Sequence, residues 1–143
     1  MRDNSVISQF TARVSPAQPR SETEEAPQPE LELAEDLGAF GWLRGVRDRS
    51  IMLELRRRDG NVVALGYSWL ERVELDRSHG ITLRFAGQTV RIAGRNLNSP
   101  IRPNIRLLDG LIRHRVPWIQ EADEPTSMRA ERHATVIEQI TFD

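Results

Sequence analysis

The 143 residues hold 38% apolar side chains, no cysteine and a formal net charge of −1. That composition fits one small domain with part of the chain unpacked, and it excludes a disulfide framework or a thiolate metal site. No apolar run approaches the roughly 20 residues that cross a bilayer, and the opening MRDNSVISQF has no apolar h-region, so the reading is a soluble, cytoplasmic protein.

The charge is unevenly placed. Residues 1–40 carry three arginines against eight acids, residues 41–120 fifteen against seven, and residues 121–143 two against six. A basic centre thus lies between acidic arms. All twenty cations are arginine, and whether or not genome composition put them there, each is a planar fork suited to phosphates, carboxylates and aromatic faces.

Residues 1–30, with stretches such as SETEEAPQPE, cannot bury enough apolar area to offset chain entropy and predict a disordered acidic arm. LELAEDLGAF spaces Leu33, Leu37 and Phe40 for a short acidic helix. From residue 50 the period is two. SIMLELRR alternates Ile51, Leu53 and Leu55 with Met52, Glu54 and Arg56, and Asp59-Gly60 predicts a type I′ hairpin turn. VVALGYSWLERVELD is too long for one flat strand, and Gly66 lets it bend to serve two sides of a curved sheet. RSHG closes it. ITLRFA puts Ile81, Leu83 and Phe85 on one face, and Gly87 opens a tight turn into QTVRIAG with Val90 and Ile92 inward.

These short antiparallel strands predict a mainly β fold, a small barrel or curved sheet. A helix is expected over residues 104–114, capped by Asn104 and striped by Ile105, Leu108, Leu111 and Ile112, with Pro117 preventing continuation. On its opposite face Arg106, Asp109 and Arg113 read as a solvated charge ladder. TSMRAERHATVIEQITFD fits either the start of a helix or a strand through Val136, Ile140 and Phe142. The domain plan is an acidic arm over 1–30, a barrel domain with flanking helices over 31–120, and an acidic tail over 121–143.

Few residues point to a reaction. His79, His114 and His133 lie in separate segments without ligand spacing, and Asp109 with His114 has no nucleophile or phosphate loop beside it. Neither an enzyme nor a metal or other cofactor is expected. Trp42, Trp69, Trp118 and Tyr67 offer rings for stacking on bases, although Trp69 and Trp118 sit in apolar patterns that favour the core. The outward arginines say more. If Gly87-Gln88 is the turn, Phe85 faces Val90, Leu83 faces Ile92 and Arg84 falls opposite Arg91, an unfavourable pair unless an anion answers it. With Arg56, Arg57, Arg58 and Arg95 this makes a candidate anion-binding face, which Glu54, Glu71 and Glu74 could equally screen.

VRIAGRNL, residues 90–97, ends a strand with Gly94-Arg95-Asn96. With the bent Gly-containing strand and the meander, it resembles the Sm-like family of small SH3-like barrels over residues 50–97. In that family an apolar-basic-Gly-x-Asn-apolar run closes the barrel and lines an RNA-binding pore. The resemblance implies that Gly94 permits a backbone turn and that Asn96 fixes the loop. The chain departs from the pattern in two places: Ala93 stands where the family has a basic residue, and YSWLERVEL lacks the Asp and Asn that position a base.

Two functions follow as expectations. One is binding of RNA or single-stranded DNA through its backbone at Arg56, Arg57, Arg58, Arg84, Arg91, Arg95 and Asn96, with the acidic arms competing for the same arginines. The other is a protein-interaction adaptor that pairs its tails with a partner. Proline-free QTVRIAG is the expected edge for homo-oligomers.

Overall fold

The computed structural model describes residues 34–45 and 47–143, so the arm expected over 1–30 lies outside the described residues. The described chain opens with a hairpin where the spacing of Leu37 and Phe40 predicts a helix. Strand β1 (Ala34–Asp36) pairs antiparallel with β2 (Gly41–Leu43). Leu37 and Phe40 do reach the core, but from the turn. Gly38, at φ 88°, reverses the chain there, and its N–H donates to Asp36 Oδ1 at 2.8 Å.

The remaining elements follow as β3 (Met52–Arg56), β4 (Val62–Gly66), β5 (Leu70–Asp76), β6 (Gly80–Phe85), β7 (Gln88–Arg95), helix α1 (Leu107–Ile112), β8 (Trp118–Gln120), helix α2 (Glu124–Arg129) and β9 (Val136–Phe142). They form two larger sheets. One runs β4-β3-β8, with β3 antiparallel to β4 and parallel to β8; the other is antiparallel in the order β5-β6-β7-β9. The fold is mainly β, and its sheets do not close into a barrel. The long segment 62–76 is the reason. A 3₁₀ turn, Tyr67–Trp69, breaks it so that its two halves join different sheets. Buried Tyr67 pins the break by donating its hydroxyl to the Val116 carbonyl at 2.7 Å. Desolvation raises the pKa of that hydroxyl far above its usual value, so it stays a donor.

Period-two residues fill the core. Leu53, Leu55, Ile81, Leu83, Phe85, Val90 and Ile92 are buried, whereas Ile51, just outside β3, is exposed. Three local expectations need correction. The β3–β4 loop is not a type I′ turn: Arg57 N–H bonds Asn61 O and Gly60 N–H bonds Arg57 O, and only Gly60 takes a positive φ. That is a three-residue loop in which glycine forms the bulge. The β6–β7 turn is Ala86-Gly87, one residue earlier than expected, because Gly87 takes φ 80° at its second position. The register therefore moves by two, placing Leu83 opposite Val90 and Ile81 opposite Ile92. Finally, the helix expected over 104–114 is confined to Leu107–Ile112, since Asn104 sits at φ 70° and Arg106 takes the capping position without a side-chain bond.

The expected acidic tail is built into the fold. Asp123 caps α2 by accepting from Thr126 N–H at 2.8 Å. Beyond it β9 buries Val136, Ile137 and Ile140 and pairs with β7. QTVRIAG consequently lies inside the sheet rather than at its edge. A single compact unit spans Ala34–Asp143. No described helix is long and apolar enough to cross a membrane.

Phe85 sits in this core at the end of β6, opposite Leu70 and Gln88. Phe85→Ala should lower the unfolding free energy by about 3–5 kcal/mol in urea titration. A loss below about 1 kcal/mol would remove the ring from the core.

Candidate anion-binding cleft

Most of the arginines expected to form a binding face meet partners within the fold. Arg56 Nε reaches Glu54 Oε1 at 3.1 Å, and its guanidinium lies 4.6 Å from the centre of the Trp118 ring. Arg57 lies 5.7 Å from the Phe142 ring centre. Arg58 donates its backbone N–H and its Nε to Glu121 Oε1 at 2.9 and 3.3 Å, and its terminal nitrogen to the Glu138 carbonyl. Arg91 pairs with Asp143 at 2.8 Å, and Arg95 with Glu138 at 3.2 Å. The shifted register puts Arg91 opposite Thr82, so the expected Arg84–Arg91 pair does not exist. Arg84 instead faces Arg72, whose charge Glu74 meets at 2.6 Å. Arg84 alone of the six has no ion pair or ring contact among the described residues.

Gly94 and Asn96 act as structural parts. At Gly94 the β7–β9 ladder shifts, and a Cβ would collide with the carbonyl oxygen of Val136. Asn96 takes the left-handed conformation at φ 56° and donates its amide to the carbonyls of Arg132 and Ala134 at 3.0 and 2.9 Å, while Thr135 Oγ1 donates to the Asn96 carbonyl. The Gly-x-Asn run thus seats β9 against β7, and the Asn96 amide is committed to the backbone.

Another group of arginines gathers elsewhere. A cleft of about 960 Å³ lies beside α1. Leu107 and Leu111 are buried and fix the helix, which leaves Leu108, Ile112, Asp109 and Arg113 to line the cleft with Arg106 just ahead of them. Arg49 from the loop before β3 and Arg115 from the loop before β8 complete a set of four guanidiniums around one carboxylate. Arg113 holds that carboxylate, Asp109, at 3.0 Å. Arg115 donates to the Leu43 carbonyl and lies 5.5 Å from the centre of the buried Trp42 ring. Arg49 and Arg106 are exposed and have no ion pair among the described residues. Asn98 and Asn104 line the same cleft and add carboxamide donors.

His114, beside this set, adds no charge at neutral pH. Burial, and then the charge of Arg49, lower its pKa, so the ring is neutral at pH 7. It stacks on Tyr67 with centroids 4.4 Å apart. Of the rings considered for stacking on bases, Trp42, Trp118 and Tyr67 are buried, whereas Trp69, placed in the core by its sequence pattern, is exposed. No group of three His, Asp or Glu among the described residues is placed to hold a metal ion.

The sequence does mark Arg106, Asp109 and Arg113, but as a solvated ladder. Arg49 and Arg115 carry no periodic signal, and only the fold brings them to α1. Comparison with family models, curated proteins and solved structures finds no match to this chain.

The carboxylate that holds Arg58 gives a pH test. Burial alone would raise the pKa of Glu121, but bonds from Arg58 N–H, Ile140 N–H and the Arg58 guanidinium outweigh it and the net shift is downward. A lowered folded-state pKa contributes stability above the unfolded value, and that contribution is lost as pH falls through the folded one. The stability advantage of the wild type over Glu121→Gln should therefore be full at about pH 6 and shrink toward about pH 3. A pH-independent difference would show that the carboxylate charge plays no part.

Proposed function

We propose that this protein is a non-enzymatic binding module that takes the phosphate backbone of single-stranded RNA or DNA in the cleft beside α1. The observation that supports this reading is that Arg49 and Arg106 line one cleft, both exposed and without ion pairs among the described residues, where the one lining carboxylate, Asp109, is already held by Arg113. Guanidinium forks match phosphate oxygens two at a time. The two asparagines can bond sugar or phosphate, and the apolar wall of Leu108 and Ile112 can face ribose or base without reading sequence. The reading moves the expected site from the outer sheet face, where carboxylates already answer four of the six arginines, to α1.

The test is fluorescence anisotropy of the full chain with labelled single-stranded oligonucleotides of mixed sequence, titrated across salt. Each phosphate-contacting arginine contributes a slope of about 0.7 in log affinity against log salt for single strands. Arg49→Gln with Arg106→Gln should flatten that slope by about 1.4 and weaken binding at low salt, whereas Arg84→Gln with Arg91→Gln should leave it unchanged. An unchanged slope in the Arg49/Arg106 variant, or no binding by the wild type at about 50 mM salt, would overturn the reading.

A further inference from the structure

A single acid, Asp109, lies among the residues that line the cleft beside α1. Its Oδ1 accepts from Arg113 Nε at 3.0 Å, and between the same two residues the Arg113 backbone N–H bonds the Asp109 carbonyl at 3.0 Å. One helical turn thus sets carboxylate and guanidinium at a fixed spacing on the same face. That face cannot turn away from the cleft. Leu107 and Leu111 are buried on the other side of α1, and Gly110 lies so close to the core that a Cβ there would stand 2.5 Å from Trp42 Cζ3 and 2.6 Å from Val116 Cγ2. Both members of the pair are nevertheless open to a ligand, Asp109 with 42% and Arg113 with 63% of its side chain exposed.

We propose, on the reading of this cleft as a phosphate-backbone site, that Asp109 is a built-in competitor of the bound strand, which sequesters Arg113 and thereby holds the affinity down. A backbone phosphodiester carries one negative charge, as the carboxylate does. Exchanging one for the other therefore brings Arg113 no additional attraction, and it leaves Asp109 uncompensated beside the incoming strand. The carboxylate is also tethered one turn from its partner, at an effective concentration that a strand in dilute solution does not match. Arg49 and Arg106 have no such tethered partner among the described residues, so the strand is held by these two while Arg113 stays with Asp109. An exposed pair of this kind contributes little to the stability of the fold, so the consequence of the carboxylate is to be read in binding.

The test is a double-mutant cycle on the full chain, read by the same salt titration with labelled single-stranded oligonucleotides. Asp109→Asn, which keeps the size of the side chain, should steepen the slope of log affinity against log salt by about 0.7, one further phosphate contact on a single strand. By counterion release alone this is about eightfold tighter binding at about 50 mM salt, falling to about twofold at about 0.4 M. Asp109→Ala should act in the same direction, each variant being checked for an unchanged circular dichroism spectrum. When Asp109→Asn is introduced instead into an Arg113→Gln background, the gain in slope should vanish, because no guanidinium is released. An equal gain with and without Arg113 would show that the carboxylate acts only through its field, and would overturn the sequestration. Wild-type slopes in both folded Asp109 variants would also overturn it, while leaving Arg49 and Arg106 as the binding residues. Failure of the wild type to bind at about 50 mM salt would instead bring down the cleft as a phosphate site, and this proposal with it.

Discussion

One buried carboxylate joins the two larger sheets. Glu121, just past the end of β8 and only 5% exposed, accepts from the backbone and side chain of Arg58 in the β3–β4 loop and from the Ile140 N–H of β9 at 2.7 Å. A charge buried without such donors would cost several kcal/mol, so β8, the hairpin loop and β9 are placed as a set. The seating of β9 then draws in the ladder shift at Gly94, where only a missing side chain allows the approach, and the Asn96 amide that ties down residues 132–134. Arg58, which looks in the sequence like a free cation at a loop tip, has thereby become part of the frame.

The same sorting decides where an anion can bind. An arginine with a carboxylate at ion-pair distance presents little net field to solvent, and exposed pairs are screened further by salt. Arg56, Arg58, Arg91 and Arg95 are in this position. Around α1 the ratio reverses, because many of the acidic residues lie in β3 and β5, in the 121–124 stretch and near the end of the chain, while the loops flanking the helix carry arginine. Local charge balance, rather than the number of arginines in a segment, separates the two surfaces.

Much of the β architecture is legible in the sequence because a half-buried strand must alternate: Leu53 and Leu55, Ile81 to Phe85, and Val90 with Ile92 all point where their parity says. Three kinds of information are not local. A one-residue ambiguity in a glycine turn, Ala86-Gly87 against Gly87-Gln88, moves the pairing by two and replaces Arg91 with Thr89 opposite Arg84. A short apolar segment fits two periods: Leu37 and Phe40 satisfy helical spacing yet enter the core from a hairpin turn. The cleft is the third case, since Arg49, Arg106 and Arg115 become neighbours only after β3, α1 and β8 have packed. Trp69 was hidden for a related reason, because an apolar neighbourhood in sequence does not show on which side of a bend the ring will fall.

The parallel pairing of β3 with β8 constrains the order of events in folding. The Arg58–Glu121 contact spans 63 residues, while the β3–β4 hairpin closes over three. Loop closure scales with the logarithm of length, so the long closure costs roughly 3 kcal/mol more chain entropy than the hairpin before any contact repays it. Meanders such as β5-β6-β7 can form from local contacts, leaving the β8 closure and its carboxylate to arrive late on the pathway. Removing that carboxylate would then speed unfolding more than it slows folding, which is a low φ-value at Glu121, and the lifetime of the folded state would rest on a contact absent from its transition state.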